Sequence, residues 1–146
     1  MARAIARISG ARIRAGHNAR TRDLWDDQRV HRTVLIVDDH DAFRASAAAL
    51  LEAEGFTVVG GVDAGEAALG ACEWTRPDVV LVDIDLPGID GFAVAEQLAA
   101  AAEPPCVVLI SGREARDYRV RVAAAPVRGF LTKGELSGAA LAAMVG

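Results

Sequence analysis

The chain is short of lysine, of cysteine and of long apolar runs. Only Lys133 stands against fifteen arginines. A compact ammonium and a planar guanidinium do not substitute for one another at a tight site, so the retained lysine marks a position to examine. The two cysteines, Cys72 and Cys106, have no metal-ligand spacing. They read as free, buried thiols in a reducing compartment. No run approaches the roughly 20 apolar residues of a membrane-spanning helix. No continuous apolar stretch follows the N-terminal arginines, so the pattern of a secretory signal is missing. A cytoplasmic protein is the expectation. At 146 residues the sequence has the size of one domain, which excludes a large multidomain enzyme, and 52% apolar residues suffice for one core.

Charge divides the chain. Residues 1–32 carry eight arginines against three aspartates, a net of +5, whereas residues 33–146 carry eight cations against seventeen acids, a net of −9. Residues 1–32 show no clean hydrophobic period and read as a flexible basic leader. Residues 33–146 read as an acidic domain.

From residue 33 the pattern alternates. Short β-branched runs at 33–38, 56–62, 78–83, 105–111 and 128–132 predict five strands. Helical spacing predicts helices over 41–54, 64–74, 90–102, 113–124 and 135–145, the first closed by Gly55. Apolar strands separated by helices imply an α/β fold with a parallel sheet and right-handed crossovers. Val79, Val80, Leu81, Val107, Val108, Leu109, Leu35 and Ile36 are the expected sheet core. Trp74 and Cys72 are read as packing residues, and Arg113, Arg116, Arg119 and Arg121 as a cluster on the fourth helix, either solvated or docking an acidic partner.

In such sheets the reactive crevice lies beyond the carboxyl ends of the strands. Those ends carry Asp38 and Asp39 on the first strand, Asp83 on the third, Ser111 on the fourth, and Thr132 and Lys133 on the fifth. Each has a plain structural alternative: Asp39 or Ser111 capping the following helix, Asp83 ending a strand before a turn, Lys133 in solvent. Together they point to chemistry. Three converging carboxylates repel one another, and a hard divalent cation such as Mg²⁺ resolves that conflict. An ammonium and a hydroxyl beside the cation suit a phosphoryl group, and a carboxylate can attack phosphorus.

The stretches VLIVDDHDAFR at 34–44, PDVVLVDIDLPGIDG at 77–91, VVLISG at 107–112 and RGFLTK at 128–133 resemble the receiver domain of bacterial two-component response regulators. The resemblance covers residues 33–146. It implies a flavodoxin-like (CheY-like) fold, a doubly wound five-stranded parallel sheet of order 2-1-3-4-5 with helices on both faces. By the same resemblance Asp83 is the phosphoacceptor, and Asp38 and Asp39 hold Mg²⁺ together with Asp83 and the backbone carbonyl of Asp85. Ser111 and Lys133 match the catalytic hydroxyl and lysine, and Ser111 and Phe130 match the switch pair. Gly134 stands where many receivers have proline, which is similar to the NarL/FixJ type. Receivers of that type continue into a DNA-binding domain, whereas this sequence ends at Gly146, so a single-domain receiver or a piece of a longer one is expected.

The implied function is phosphorelay signalling. A sensor histidine kinase or phosphotransfer protein is the donor, and a downstream protein, or a second copy in a homodimer, meets the helix-4, strand-5, helix-5 face. Two other classes remain open. Asp83 and Asp85 fit the DxD of haloacid-dehalogenase-type phosphatases, and the fold could serve as a phosphorylation-independent interaction module.

Overall fold

The computed structural model describes residues 32–146. The expected basic leader lies, but for Arg32, outside the described residues. Five strands are present: β1 (Thr33–Val37), β2 (Thr57–Val62), β3 (Val79–Asp83), β4 (Cys106–Ser111) and β5 (Gly129–Thr132). The helices are α1 (Asp41–Ala53), α2 (Ala68–Thr75), α3 (Gly91–Ala99), α4 (Arg119–Ala124) and α5 (Gly138–Val145). The strands pair in parallel in the order β2-β1-β3-β4-β5, as expected.

The two-residue period of the strands divides the core. Val34, Ile36, Val79, Leu81, Val108 and Ile110 face a cluster completed by Ala47 and Leu51 of α1 and Leu141 and Val145 of α5. Leu35, Val37, Val80, Val82, Val107 and Leu109 face the opposite cluster, with Ala68 and Cys72 of α2 and Phe92, Ala95 and Leu98 of α3. All eight expected core residues are buried. Burial on both sides explains why the central strands read as continuous apolar runs. The edge strand β2 is only half-buried, and it carries Gly60 and Gly61.

Several helices are shorter than their sequence pattern. The segment 64–74 opens with a 3₁₀ turn, Gly65–Ala67, before α2. The predicted helix over 113–124 divides into a 3₁₀ turn, Ala115–Asp117, and the six-residue α4. Arg113 therefore lies before the helical region and Arg116 in the 3₁₀ turn, so the arginine cluster is not one helix face. The predicted helix over 135–145 begins with a 3₁₀ turn, Lys133–Glu135, and α5 starts only at Gly138. The packing role expected of Trp74 is corrected: its side chain stands in solvent at 87% exposure. Cys72 is buried, which pushes its thiol pKa up to about 11, and Cys106 is half-buried, not buried.

Two glycines are required by the backbone. Gly55 follows α1 with φ 106°, a left-handed conformation that ends the helix as expected. At Gly91 a Cβ would lie 2.5 Å from the Asp83 carbonyl oxygen and 2.8 Å from Ile84 Cα. Only glycine lets α3 start this close to the end of β3.

Candidate functional site

The parallel order places the carboxyl ends of β1, β3, β4 and β5 along one edge. Asp38 follows β1 and is fully buried; Asp83 ends β3 and is 1% exposed. Ligand atoms of Asp38, Asp39, His40 and Asp83 all lie within 4.8 Å of one another. The Lys133 ammonium reaches in from the end of β5, 2.8 Å from Asp38 Oδ2 and 3.3 Å from Asp83 Oδ2. Its other side rests on the Phe43 ring, 4.5 Å from the centroid. Thr132 fixes the backbone at this point through a capping box: its hydroxyl accepts from Glu135 N, and its N–H donates to Glu135 Oε1.

Asp83 does end β3 before a turn, but the plain structural alternatives fail for Asp39 and Lys133 and are incomplete for Ser111. His40, not Asp39, is the N-cap of α1, and no side chain caps that end. Lys133 is drawn into the acidic pocket, with 19% of its side chain exposed. Ser111 does accept a local bond from Arg113 N at 3.0 Å, but its own hydroxyl donates across the edge to Asp85 Oδ2 at 3.2 Å.

The electrostatics of the pocket are strained. Burial raises the pKa of Asp83, and the Asp38 charge adds to that; the Asp85 N–H, donating to Asp83 Oδ1 at 3.0 Å, and Lys133 oppose it. Burial alone would lower the pKa of Lys133, but its contact with Asp38 and the charges of Asp83 and Asp38 more than reverse this, so it lies above the ordinary value. One ammonium offsets only one of the three carboxylates. Lys133 is the partner of Asp38 Oδ2, at 2.8 Å, while the buried Asp39 Oδ1 has no hydrogen-bond donor. A buried carboxylate oxygen without a donor, among carboxylates in excess of the local positive charge, fits a small hard divalent cation.

Asp85 also takes part through groups other than the backbone carbonyl expected to serve the metal. Its backbone N–H is tied to Asp83, and its carboxylate accepts hydrogen bonds from Ser111 and from Tyr118 Oη, the latter at 3.0 and 3.2 Å. Phe130 is half-buried on β5, with its ring centroid 6.2 Å from that of Tyr118. Sequence reading missed two residues of this edge. His40 directly follows the acidic pair, and its Nδ1 lies 3.2 Å from Asp38 Oδ1 and 3.3 Å from Asp39 Oδ1. Tyr118 is the single tyrosine of the chain, within a segment whose arginines drew the reading to a solvated or docking surface.

Among the described residues no helix is long and apolar enough to cross a membrane. The model of the response regulator receiver domain matches residues 34–145. The chain is 37% identical over 102 residues to response regulator GacA of Pseudomonas aeruginosa, a match that covers 69% of this chain and 48% of the relative. It is 33% identical over 102 residues to response regulator UvrY of Escherichia coli, covering 69% of this chain and 47% of the relative. The chain thus spans about half the length of the curated relatives it matches. The signal receiver domain of NarL from Mycobacterium tuberculosis is 32% identical at a TM-score of 0.70, covering 80% of this chain and 98% of that one. The response regulator domain of Thermotoga maritima CheB, 23% identical with a TM-score of 0.67, covers 79% of this chain and 93% of that one, and it shares the fold. These matches place Asp83 and Asp85 in a receiver and do not favour the phosphatase reading. With its acidic edge and its 2-1-3-4-5 sheet, the chain belongs to the response regulator receiver domain family.

Proposed function

We propose that the domain is a phosphoacceptor switch of a two-component system, with Asp83 as the residue that takes the phosphoryl group. The observation that carries this reading is the buried Asp83 carboxylate, held between the Asp85 N–H and the Lys133 ammonium and beside the buried Asp38 carboxylate and the donor-free Asp39 Oδ1. The donor is a phosphohistidine on a sensor histidine kinase or phosphotransfer protein. An Asp83 oxygen forms the new P–O bond as the P–N bond breaks, and the electron pair leaves with the imidazole nitrogen. Burial makes the Asp83 carboxylate more basic than an exposed one, which favours its attack. Lys133 pairs with one phosphoryl oxygen, and the Ser111 hydroxyl donates to another. Asp38, Asp39, Asp83 and the Asp85 backbone carbonyl would hold Mg²⁺, which when bound supplies the remaining charge neutralisation. Water later attacks phosphorus, releasing inorganic phosphate and restoring the carboxylate, so the domain promotes its own dephosphorylation and turns over no separate metabolite.

The phosphoryl charge draws Ser111 toward Asp83 and biases the face formed by α4, β5 and α5, where Phe130 lies. That face meets a downstream protein or a second copy of the chain. The compartment is the cytoplasm, where the donor kinases act.

The test is incubation with acetyl phosphate, with and without Mg²⁺, read by intact mass. A Mg²⁺-dependent adduct that Asp83→Asn abolishes supports the reading. A folded protein that forms no adduct and shows no metal-dependent NMR shift would refute it and leave the phosphorylation-independent module.

A further inference from the structure

Asp85 and Tyr118 form a connection that the phosphoacceptor chemistry does not use. The Asp85 carboxylate takes the Ser111 hydroxyl on Oδ2 and the Tyr118 hydroxyl across both oxygens. The Tyr118 ring lies between two aromatic rings, its centroid 6.2 Å from Phe92 on α3 and 6.2 Å from Phe130 on β5. Arg121 of α4 stacks on the far partner, 4.0 Å from the Phe92 centroid. One side chain therefore has its polar end at the phosphoryl site and its apolar body in the seam between α3, α4 and β5.

We infer that Asp85 and Tyr118 are positioning residues that clasp Ser111 away from Asp83, and that Tyr118 is the aromatic through which the state of Ser111 reaches Phe130 and α4. The inference rests on the phosphoacceptor reading and deepens it. A hydroxyl hydrogen serves one acceptor well. If Ser111 donates to a phosphoryl oxygen on Asp83, its bond to Asp85 Oδ2 is lost. Asp85 cannot ignore the new charge, because its own N–H is bonded to Asp83 Oδ1 at 3.0 Å. A phosphoryl group adds about −1.5 to −2 charge, which repels the neighbouring carboxylate. Both effects act on the acceptor that holds Tyr118. Phe130 has no hydroxyl and cannot sense Ser111 through a hydrogen bond. The tyrosine packed against it can. The clasp also opposes phosphorylation, since the off state keeps two hydroxyl donations to Asp85 that the on state must rearrange.

The chain has a single tyrosine, so tyrosine labelled with ¹³C at the ring ε carbons gives signals from Tyr118 alone. The full chain would be followed by ¹³C–¹H NMR while phosphoramidate and Mg²⁺ are added, with intact mass reporting the adduct. The Tyr118 signal is expected to move as the adduct forms. In unphosphorylated Asp85→Ala it is expected to move in the same direction. Tyr118→Phe keeps the ring and removes the hydroxyl. It should raise the rate of phosphorylation by phosphoramidate on the order of tenfold, about the factor that one hydrogen bond to a charged acceptor is worth. Asp85→Asn keeps an acceptor and should fall between the wild type and Asp85→Ala. Far-ultraviolet circular dichroism confirms that each variant is folded. An adduct that forms while the Tyr118 signal stays in place overturns the inference and leaves the phosphoacceptor reading intact. A Tyr118→Phe rate equal to that of wild type overturns the clasp. No adduct at all overturns both.

Discussion

Removing the one lysine exposes the electrostatic strain of the site. In Lys133→Ala, Asp38 and Asp83 keep their burial and lose the ammonium that lies 2.8 and 3.3 Å from them. Breaking a fully buried ion pair by deleting one partner costs roughly 3–5 kcal/mol, because a charge is left uncompensated. Lys133 keeps 19% of its side chain in solvent, so the low end applies, about 3 kcal/mol. For a domain of this size that corresponds to a fall in Tm of roughly 12 °C. A divalent cation supplies the missing positive charge to the same carboxylates. Mg²⁺ at a hundred times its Kd should therefore return about 2.7 kcal/mol. It should stabilise the variant more than the wild type, where ammonium and cation compete for the same oxygens. The assay is thermal unfolding by circular dichroism in chelator and across a Mg²⁺ series, for wild type and variant. A variant that melts within about 3 °C of wild type in chelator would show that the pair is not the counter-charge of the site. A Mg²⁺ response no larger than that of wild type would refute the shared-site argument.

The remaining predictions concern the phosphoacceptor and its support. Asp83 has its pKa raised by burial, so the folded protein holds that proton more readily than the unfolded chain. Its favourable contribution is complete at low pH and is lost as pH rises through the folded pKa, above the usual carboxylate range. Metal-free wild type should lose stability across that window while Asp83→Asn does not, as measured by urea unfolding at several pH values. Gly91→Ala places a methyl against the Asp83 carbonyl and Ile84 Cα, both backbone. It should cost about 1–3 kcal/mol and slow adduct formation, read by urea unfolding and by intact mass.

The strands and their parallel arrangement were legible because burial on both faces leaves short, continuous apolar runs, and the division of the core then follows the two-residue period of a strand. Val34 and Ile36 go to one face, Leu35 and Val37 to the other, whatever the distant sequence does. Strand ends were legible for a related reason. A polar or charged residue that stops an apolar run marks where the sheet ends, and Asp38, Asp83, Ser111 and Lys133 each do so. Helix lengths were not legible at the edge itself. Arg113 to Ala124 has the composition of one helix, yet the chain makes a 3₁₀ turn and a short α4, with Tyr118 between them and its hydroxyl on Asp85. A local pattern cannot register a partner 33 residues away. Trp74 shows the converse error, since an aromatic ring reads as core wherever it falls, and its place at the end of α2 turns it to solvent.

The sequence by itself determined that three acids, a hydroxyl and the lone lysine end strands of one parallel sheet. It also determined that the sheet is buried on both faces, because local apolar periodicity and strand order carry that information. The tertiary structure alone decided which atoms meet. It set Lys133 on Asp38 and Asp83, left Asp39 Oδ1 without a donor, and turned the Asp85 carboxylate to Ser111 and Tyr118. Those contacts depend on rotamers, on the close approach at Gly91 and on residual charge in a shared low-dielectric pocket, none of which is a property of any short stretch of chain.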